Sequence, residues 1–169
     1  KLSAFFSAIV FFMEAAVLVI GLYSFREFSI KTATEQIRAS AEIVRVALTE
    51  AMVNGVITKR EALLHRLSEV PGLKAVRVVR SPVLEQQFGA GLSSERAPDA
   101  LEHKVLSSGK AEFELLDDDG DATFRGTIPF VATLRGTPNC LQCHKVSDGT
   151  VLGAITITMS VQHVKRNAL

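Results

Sequence analysis

The chain has 169 residues, enough for one soluble domain and an anchoring segment, and too few for two full-sized domains. Its 19 Lys and Arg nearly balance 18 Asp and Glu, so neither net charge nor any long basic run points to nucleic acid. Apolar residues reach 47% although there is no Trp and a single Tyr. Much of that excess sits at the N-terminus.

Residues 2–25 read LSAFFSAIVFFMEAAVLVIGLYSF and carry one charge, Glu14. As a helix the stretch would be about 35 Å long, enough to cross the hydrocarbon core of a bilayer. A cleavable signal peptide has a shorter apolar region that ends in small residues. This one runs into Tyr23, Phe25, Arg26 and Phe28, an interface-like border, so residues 1–25 are expected to be a retained transmembrane anchor. Lys1 is not an initiating residue, and a short stretch is expected before it. A Glu near mid-membrane is costly unless neutral, paired or packed against another helix. Two readings of Glu14 stay open, a helix–helix contact and a protonated side chain.

Residues 26–57 form the expected connecting helix, with helical patterning over 27–54. Ile37, Ala41, Val44, Leu48 and Met52 recur at helical spacing on one stripe. Gly55 is a natural stop. The remaining domain, 58–169, opens on a second helix, with Thr58 as N-cap, Glu61 three residues on, and Leu63, Leu64 and Leu67 before Pro71-Gly72. Residues 73–80, LKAVRVVR, alternate and are rich in Val, which predicts a strand broken by Ser81-Pro82. A loop over 86–97 and a short helix over 98–106, with Leu101, Val105 and Leu106 inward, come next. Strands are expected at 111–116, 123–134 and 151–161. The acidic turn 117–121 lacks the spacing of a calcium-binding EF-hand loop and reads as a hairpin connection. A helix is expected to start near 161–166. The order implies an α+β fold, an antiparallel sheet with helices gathered to one side.

The chemistry is concentrated in Asn139-Cys-Leu-Gln-Cys-His-Lys145, which contains C-x-x-C-H, the attachment pattern of a c-type haem. Two thiols three positions apart can reach the two vinyl groups of a porphyrin, and the next residue, His144, can then bind the iron. The chain's two cysteines, Cys140 and Cys143, are both used in this way. Such attachment belongs to an oxidising, exported compartment. The expectation is therefore an inner-membrane protein with its N-terminus inside and one covalent haem in the periplasm. A thioredoxin-type C-x-x-C would open a helix after a βαβ strand, whereas this one falls between two antiparallel strands. Zinc would need a fourth ligand, and a disulfide across two residues closes too small a loop to stabilise much.

Met52, Met159, His65, His103 and His163 are the candidates for the second axial ligand. Met52 lies on the apolar stripe of the connecting helix, while Met159 alternates with Ile157 and Val161 as strand core would. Haem propionates want cationic partners. Arg77, Arg80, Arg125, Arg135 and Lys145 are available, with Arg80 favoured because the strand ends there beside a Pro. Pro129 and Phe130, with Val131, are expected as apolar walls.

These features together resemble the periplasmic haem-c PAS-type sensor domains of bacterial chemoreceptors, sensor kinases and cyclic-dinucleotide enzymes. The elements that carry the resemblance are the N-terminal membrane helix, the long helix, Val-Arg-Val-Val-Arg followed by Ser-Pro, and Pro-Phe-Val before Asn-Cys-Leu-Gln-Cys-His. Gly-Thr-Val-Leu-Gly-Ala-Ile-Thr-Ile follows, and the likeness covers about 32–164. It implies a PAS-like five-stranded antiparallel sheet around one haem that senses redox state or a small gaseous ligand. It also implies a distal ligand from the long helix, which raises Met52, or else water, and a homodimer paired through that helix. Residues 1–169 include no second membrane segment or signalling region. The sensor reading expects these beyond Leu169. The alternative is a monohaem cytochrome passing electrons as a subunit of a membrane complex, since Met/His ligation suits a raised potential. No nucleophile–base pair, phosphate loop or second metal motif suggests an enzyme.

Overall fold

A computed structural model describes residues 2–118, 121–135 and 138–160. Contacts divide the chain into two units, residues 1–35 and 36–169. Helix α1 spans Leu2–Val53, taking in both the anchor and the connecting stretch. Over its first unit the large apolar side chains, among them Phe11, Phe12, Leu18 and Leu22, are exposed. This helix is long and apolar enough to cross a membrane.

The second unit is built on a four-stranded antiparallel sheet in the order β1-β4-β3-β2, from β1 (Leu73–Arg80), β2 (Glu112–Asp118), β3 (Asp121–Val131) and β4 (Val151–Ser160). All four strands lie over the segments where strands were expected. The resemblance implied five strands, and the described residues hold four. The acidic turn falls partly outside the described residues, at 119–120, and so does the expected helix start near 161–166.

One face of the sheet is covered by the C-terminal part of α1. Ile37, Ala41, Val44 and Leu48, spaced three or four residues apart, are all buried. Their partners on this face come from alternate strand positions, including Phe124 and Gly126 on β3 and Ile155, Ile157 and Met159 on β4. Gly126 decides how closely helix and sheet approach. A Cβ there would lie 2.7 Å from Ile37 Cγ2 and 2.7 Å from Phe113, so only a glycine fits.

Helix α4 (Ala100–Ser108) covers the opposite face, where Val105 meets Val79 and Ala154. Its N-terminus is set by Asp99, whose carboxylate accepts the Glu102 N–H at 2.9 Å while Glu102 accepts the Asp99 N–H at 3.0 Å. Glu102 is fully buried, which the apolar pattern of the helix did not suggest. Its carboxylate accepts the Thr156 hydroxyl at 2.9 Å and sits 3.4 Å from both Arg77 and Arg125, so the buried charge is paired.

Two local expectations change. Helix α2 (Arg60–Ser68) starts from a single 3-10 turn, Ile57–Lys59, and neither start has a side-chain cap, so Thr58 does not act as one. Residues 82–88 form a helix, α3 (Pro82–Phe88), where a break and loop were expected. Ser81 accepts the Leu84 N–H, and Pro82 sits in the first turn, where its missing N–H costs nothing.

Gly126→Ala should force Ile37 and Phe113 apart and destabilise the second unit by about 1–3 kcal/mol. Urea unfolding followed by circular dichroism checks this. An unchanged midpoint would mean that α1 does not pack on the sheet as described.

Candidate functional site

The loop between β3 and β4 carries the cysteines and is held at its base by backbone pairing. Ala132 N–H donates to Thr150 O at 2.8 Å, and Gly149 N–H donates to Ala132 O at 2.9 Å. Gly149 takes a φ of 84°, the left-handed region that favours glycine. A single turn, Cys140–Gln142, follows Asn139, whose side chain accepts the Leu141 N–H at 2.9 Å. The turn continues into the His144 N–H donating to Cys140 O at 3.0 Å, which winds the motif so that Cys140, Cys143 and His144 face one region.

Helix α3 clamps this loop from the side. Gln87 uses both ends of its amide on Lys145, donating to the carbonyl at 3.1 Å and accepting the N–H at 3.0 Å. Phe88 then stands edge-on to the His144 ring, with centroids 5.3 Å apart. Both contacts were missed in the sequence, because Gln86 onward read as loop. The signal available was the Ser81-Pro82 helix start.

His144 is the chemically unusual member. It is buried, and its Nδ1 is the one buried side-chain nitrogen or oxygen among the described residues that has no hydrogen-bond partner. Burial lowers its pKa below the usual imidazole value, which keeps the ring neutral and able to bind a metal. Cys140 is half-buried, Cys143 is exposed, and both are free thiols with no disulfide between them.

Two largely apolar cavities meet at this imidazole. One, about 40 Å³, is lined by Thr49, Met52, Cys140, Cys143 and His144 with Phe130 and Leu152. The other, about 70 Å³, runs from Met52, Phe130, His144 and Leu152 to Arg60, Arg80 and Glu95. Each has space for only a few waters. Arg80 on β1 and Phe130 on β3 both pair across the sheet with Gly153 of β4. Gly153 lines the second cavity, and a Cβ there would fall 2.4 Å from Val79 O of β1.

The expected residues thus divide. Cys140, Cys143, His144, Met52, Arg80 and Phe130 gather around the paired cavities. Pro129 faces a separate, more polar cleft of about 380 Å³ beside Cys140, with Arg45, Val131 and Arg135. Arg77 and Arg125 serve Glu102 on the opposite face of the sheet. Met159 is strand core, while His65 and His103 are exposed. His163 lies outside the described residues. Among the described residues no group of three or more His, Cys, Asp and Glu side chains forms a metal-binding cluster, so a zinc site has no donor set there.

The chain matches no family model and no curated protein. Its function is therefore argued from the donor set and the cavities. They fit a c-type haem in three respects. The two thiols line the cavity with the imidazole, the imidazole nitrogen is buried and unpaired, and a thioether from another element lines the same space.

Arg80 is already engaged. Its Nε lies 2.8 Å from Glu95, and its Nη1 donates to Gly89 O at 3.0 Å. Glu95 also receives Arg60 and the Leu92 N–H. Burial alone would raise the Glu95 pKa. The hydrogen bonds from Arg60 and Leu92 and the two cationic charges outweigh it, holding the carboxyl below its usual 4.5. Asp99 is likewise held below 3.8, with burial opposed by the Glu102 N–H and Arg125.

Because both folded values lie below the unfolded ones, these carboxylates contribute stability that is complete above the unfolded values. It is lost as pH falls through the folded ones. The urea midpoint should therefore fall as pH drops below the ordinary carboxylate range. Glu95→Gln should cost about 3 kcal/mol at neutral pH by stranding two guanidiniums, and should flatten the acid loss. An acid profile unchanged by that substitution would contradict the pairing.

Proposed function

We propose that this chain carries one c-type haem, joined to Cys140 and Cys143 and ligated by His144. The protein would be anchored in the inner membrane by residues 1–25, with the haem in the periplasm, and act as a redox or gas sensor in signal transduction. The observation that carries the reading is the meeting of the C-x-x-C-H residues with Met52 around one apolar space, at a buried imidazole that has an unpaired nitrogen. The long helix packed on an antiparallel sheet supports a PAS-like reading of the domain. A homodimer paired through α1 belongs to the same proposal.

Bound haem supplies an iron that changes oxidation state by one electron and can exchange a small axial ligand. The chain's own residues do the rest. Cys140 and Cys143 would hold the group covalently, and the Phe88 contact together with the Gln87 clamp fixes the imidazole orientation. Leu48, Phe130 and Leu152 exclude water. Met52 stands one residue before the end of α1. A thioether that binds in one state and releases in another would therefore pull directly on the helix that leads to the anchor.

A second reading, electron transfer as a cytochrome subunit, draws on one observation. Cys143 is exposed, so a group tethered there would have an edge near solvent and within reach of a redox partner.

The visible spectrum of purified protein, oxidised, reduced and reduced with CO, separates these readings. A c-type spectrum with ready CO binding is the sensor outcome, whereas a low-spin spectrum indifferent to CO favours electron transfer. Met52→Ala should convert a six-coordinate low-spin haem to an open or water-bound one, and an unchanged spectrum would remove Met52 as ligand. Cys143→Ser should leave singly linked or haem-free protein, and normal double attachment would sink the assignment.

A further inference from the structure

The two cavities lie in a fixed order. The one nearer the motif is lined by both cysteines, and the one beyond it is lined by Arg60, Arg80 and Glu95. Met52, Phe130, His144 and Leu152 belong to both and mark the middle. The vinyl-derived and propionate-bearing edges of a haem lie on opposite sides of the ring. A ring tethered at the cysteines with its iron at His144 must direct its two carboxylates towards the far cavity.

Two arginines and one carboxylate line that far end. Arg60, from α2, and Arg80, from β1, are nearly buried, with side chains 11% and 13% exposed. Both are gathered on the buried Glu95. Arg60 Nη2 donates to Glu95 at 2.9 Å, and Arg60 Nη1 also donates to Ile57 O at 3.1 Å. Two guanidiniums share the one buried carboxylate of Glu95 beside an apolar space, and the Glu61 carboxylate also acts on Arg60. Backbone geometry supports the same cluster. Gly91 has a φ of 68°, and a Cβ there would fall 2.1 Å from Glu95 Oε2 and 2.5 Å from Arg80 Nε. The loop comes that close only because position 91 lacks a side chain. Arg45 and Arg135 line the cleft on the Cys140 side and are placed for neither carboxylate, and Lys145, in the motif itself, is exposed and lines neither cavity.

We propose that Arg60 and Arg80 form a propionate clamp, with Glu95 as the positioning residue that holds the two guanidiniums side by side. The proposal rests on the haem reading above and adds to it Arg60, Glu95 and the direction in which the ring lies. Cationic groups at this edge disfavour the oxidised, more positive iron. Removing one should therefore shift the balance towards oxidation.

The test uses the membrane-anchored protein carrying its covalent haem. Arg60→Gln should lower the reduced-to-oxidised ratio at a fixed electrode potential by about tenfold. Arg60→Lys, which keeps the charge and a partner for Glu95, should hold that ratio while shifting the propionate bending bands in resonance Raman spectra. If Arg60→Gln fails to fold, the bands of the Lys variant carry the test. Covalent haem present with ratio and bands unchanged in the folded variants would overturn the clamp and leave the haem reading standing. Wild-type protein made in a cytochrome c-maturing host without covalent haem would overturn both.

Discussion

A neutral imidazole withdrawn from water with a ring nitrogen unpaired costs free energy, about 1–3 kcal/mol for a buried polar group left unsatisfied. His144 is in that position, and much of the second unit is arranged to keep it there. Asn139 caps the turn that winds the motif, Gln87 bonds both backbone groups of Lys145, and Phe88 closes on the ring edge. Such support for an unpaired donor–acceptor atom is what a ligand site requires, since the partner missing within the protein is supplied by whatever binds. The apolar lining contributed by Met52, Phe130 and Leu152 gives that partner a dry environment.

The sheet lets one chain hold both an apolar slot and a rigid back. On the α1 face, aliphatic side chains interleave with strand residues, and the helix comes close because position 126 is glycine. On the α4 face the apolar contact of Val105 with Val79 and Ala154 stands beside a polar one, with Glu102 fully buried between Arg77, Arg125 and Thr156. A paired buried charge adds little net stability but fixes geometry, because any displacement strands an ion. Strand β4 contributes to both faces, and its Gly153 pairs with Arg80 of β1 and Phe130 of β3 beside the cavities. The site is thus held by a sheet that resists sliding, while Met52, near the end of α1, is its most adaptable wall.

Much of this was legible in the sequence. Period-3.6 spacing marked Ile37, Ala41, Val44 and Leu48 as a buried stripe, and Val-rich alternation marked β1. Cys-x-x-Cys-His drew attention to the loop between β3 and β4, where the buried imidazole and the two cavities lie. What escaped was whatever depended on tertiary pairing. Arg60 sits at the start of α2 between Lys59 and Glu61, and Glu95 in a polar loop. Neither has a local pattern that reveals a partner 35 residues away. Glu102 was hidden because a buried acid inside a capping motif has the same sequence as an exposed one. The α3 helix was missed because Pro82 was read as a stop when Ser81 makes it a start.

The account stands or falls on covalent attachment at one peptide. The full chain, produced in a bacterial host that matures c-type cytochromes, should be purified, digested and its peptides weighed. The account predicts that the peptide containing Cys140 to His144 is heavier by one haem, through two thioether bonds that survive denaturation. The same peptide recovered at its unmodified mass, with both thiols open to alkylation, would contradict it.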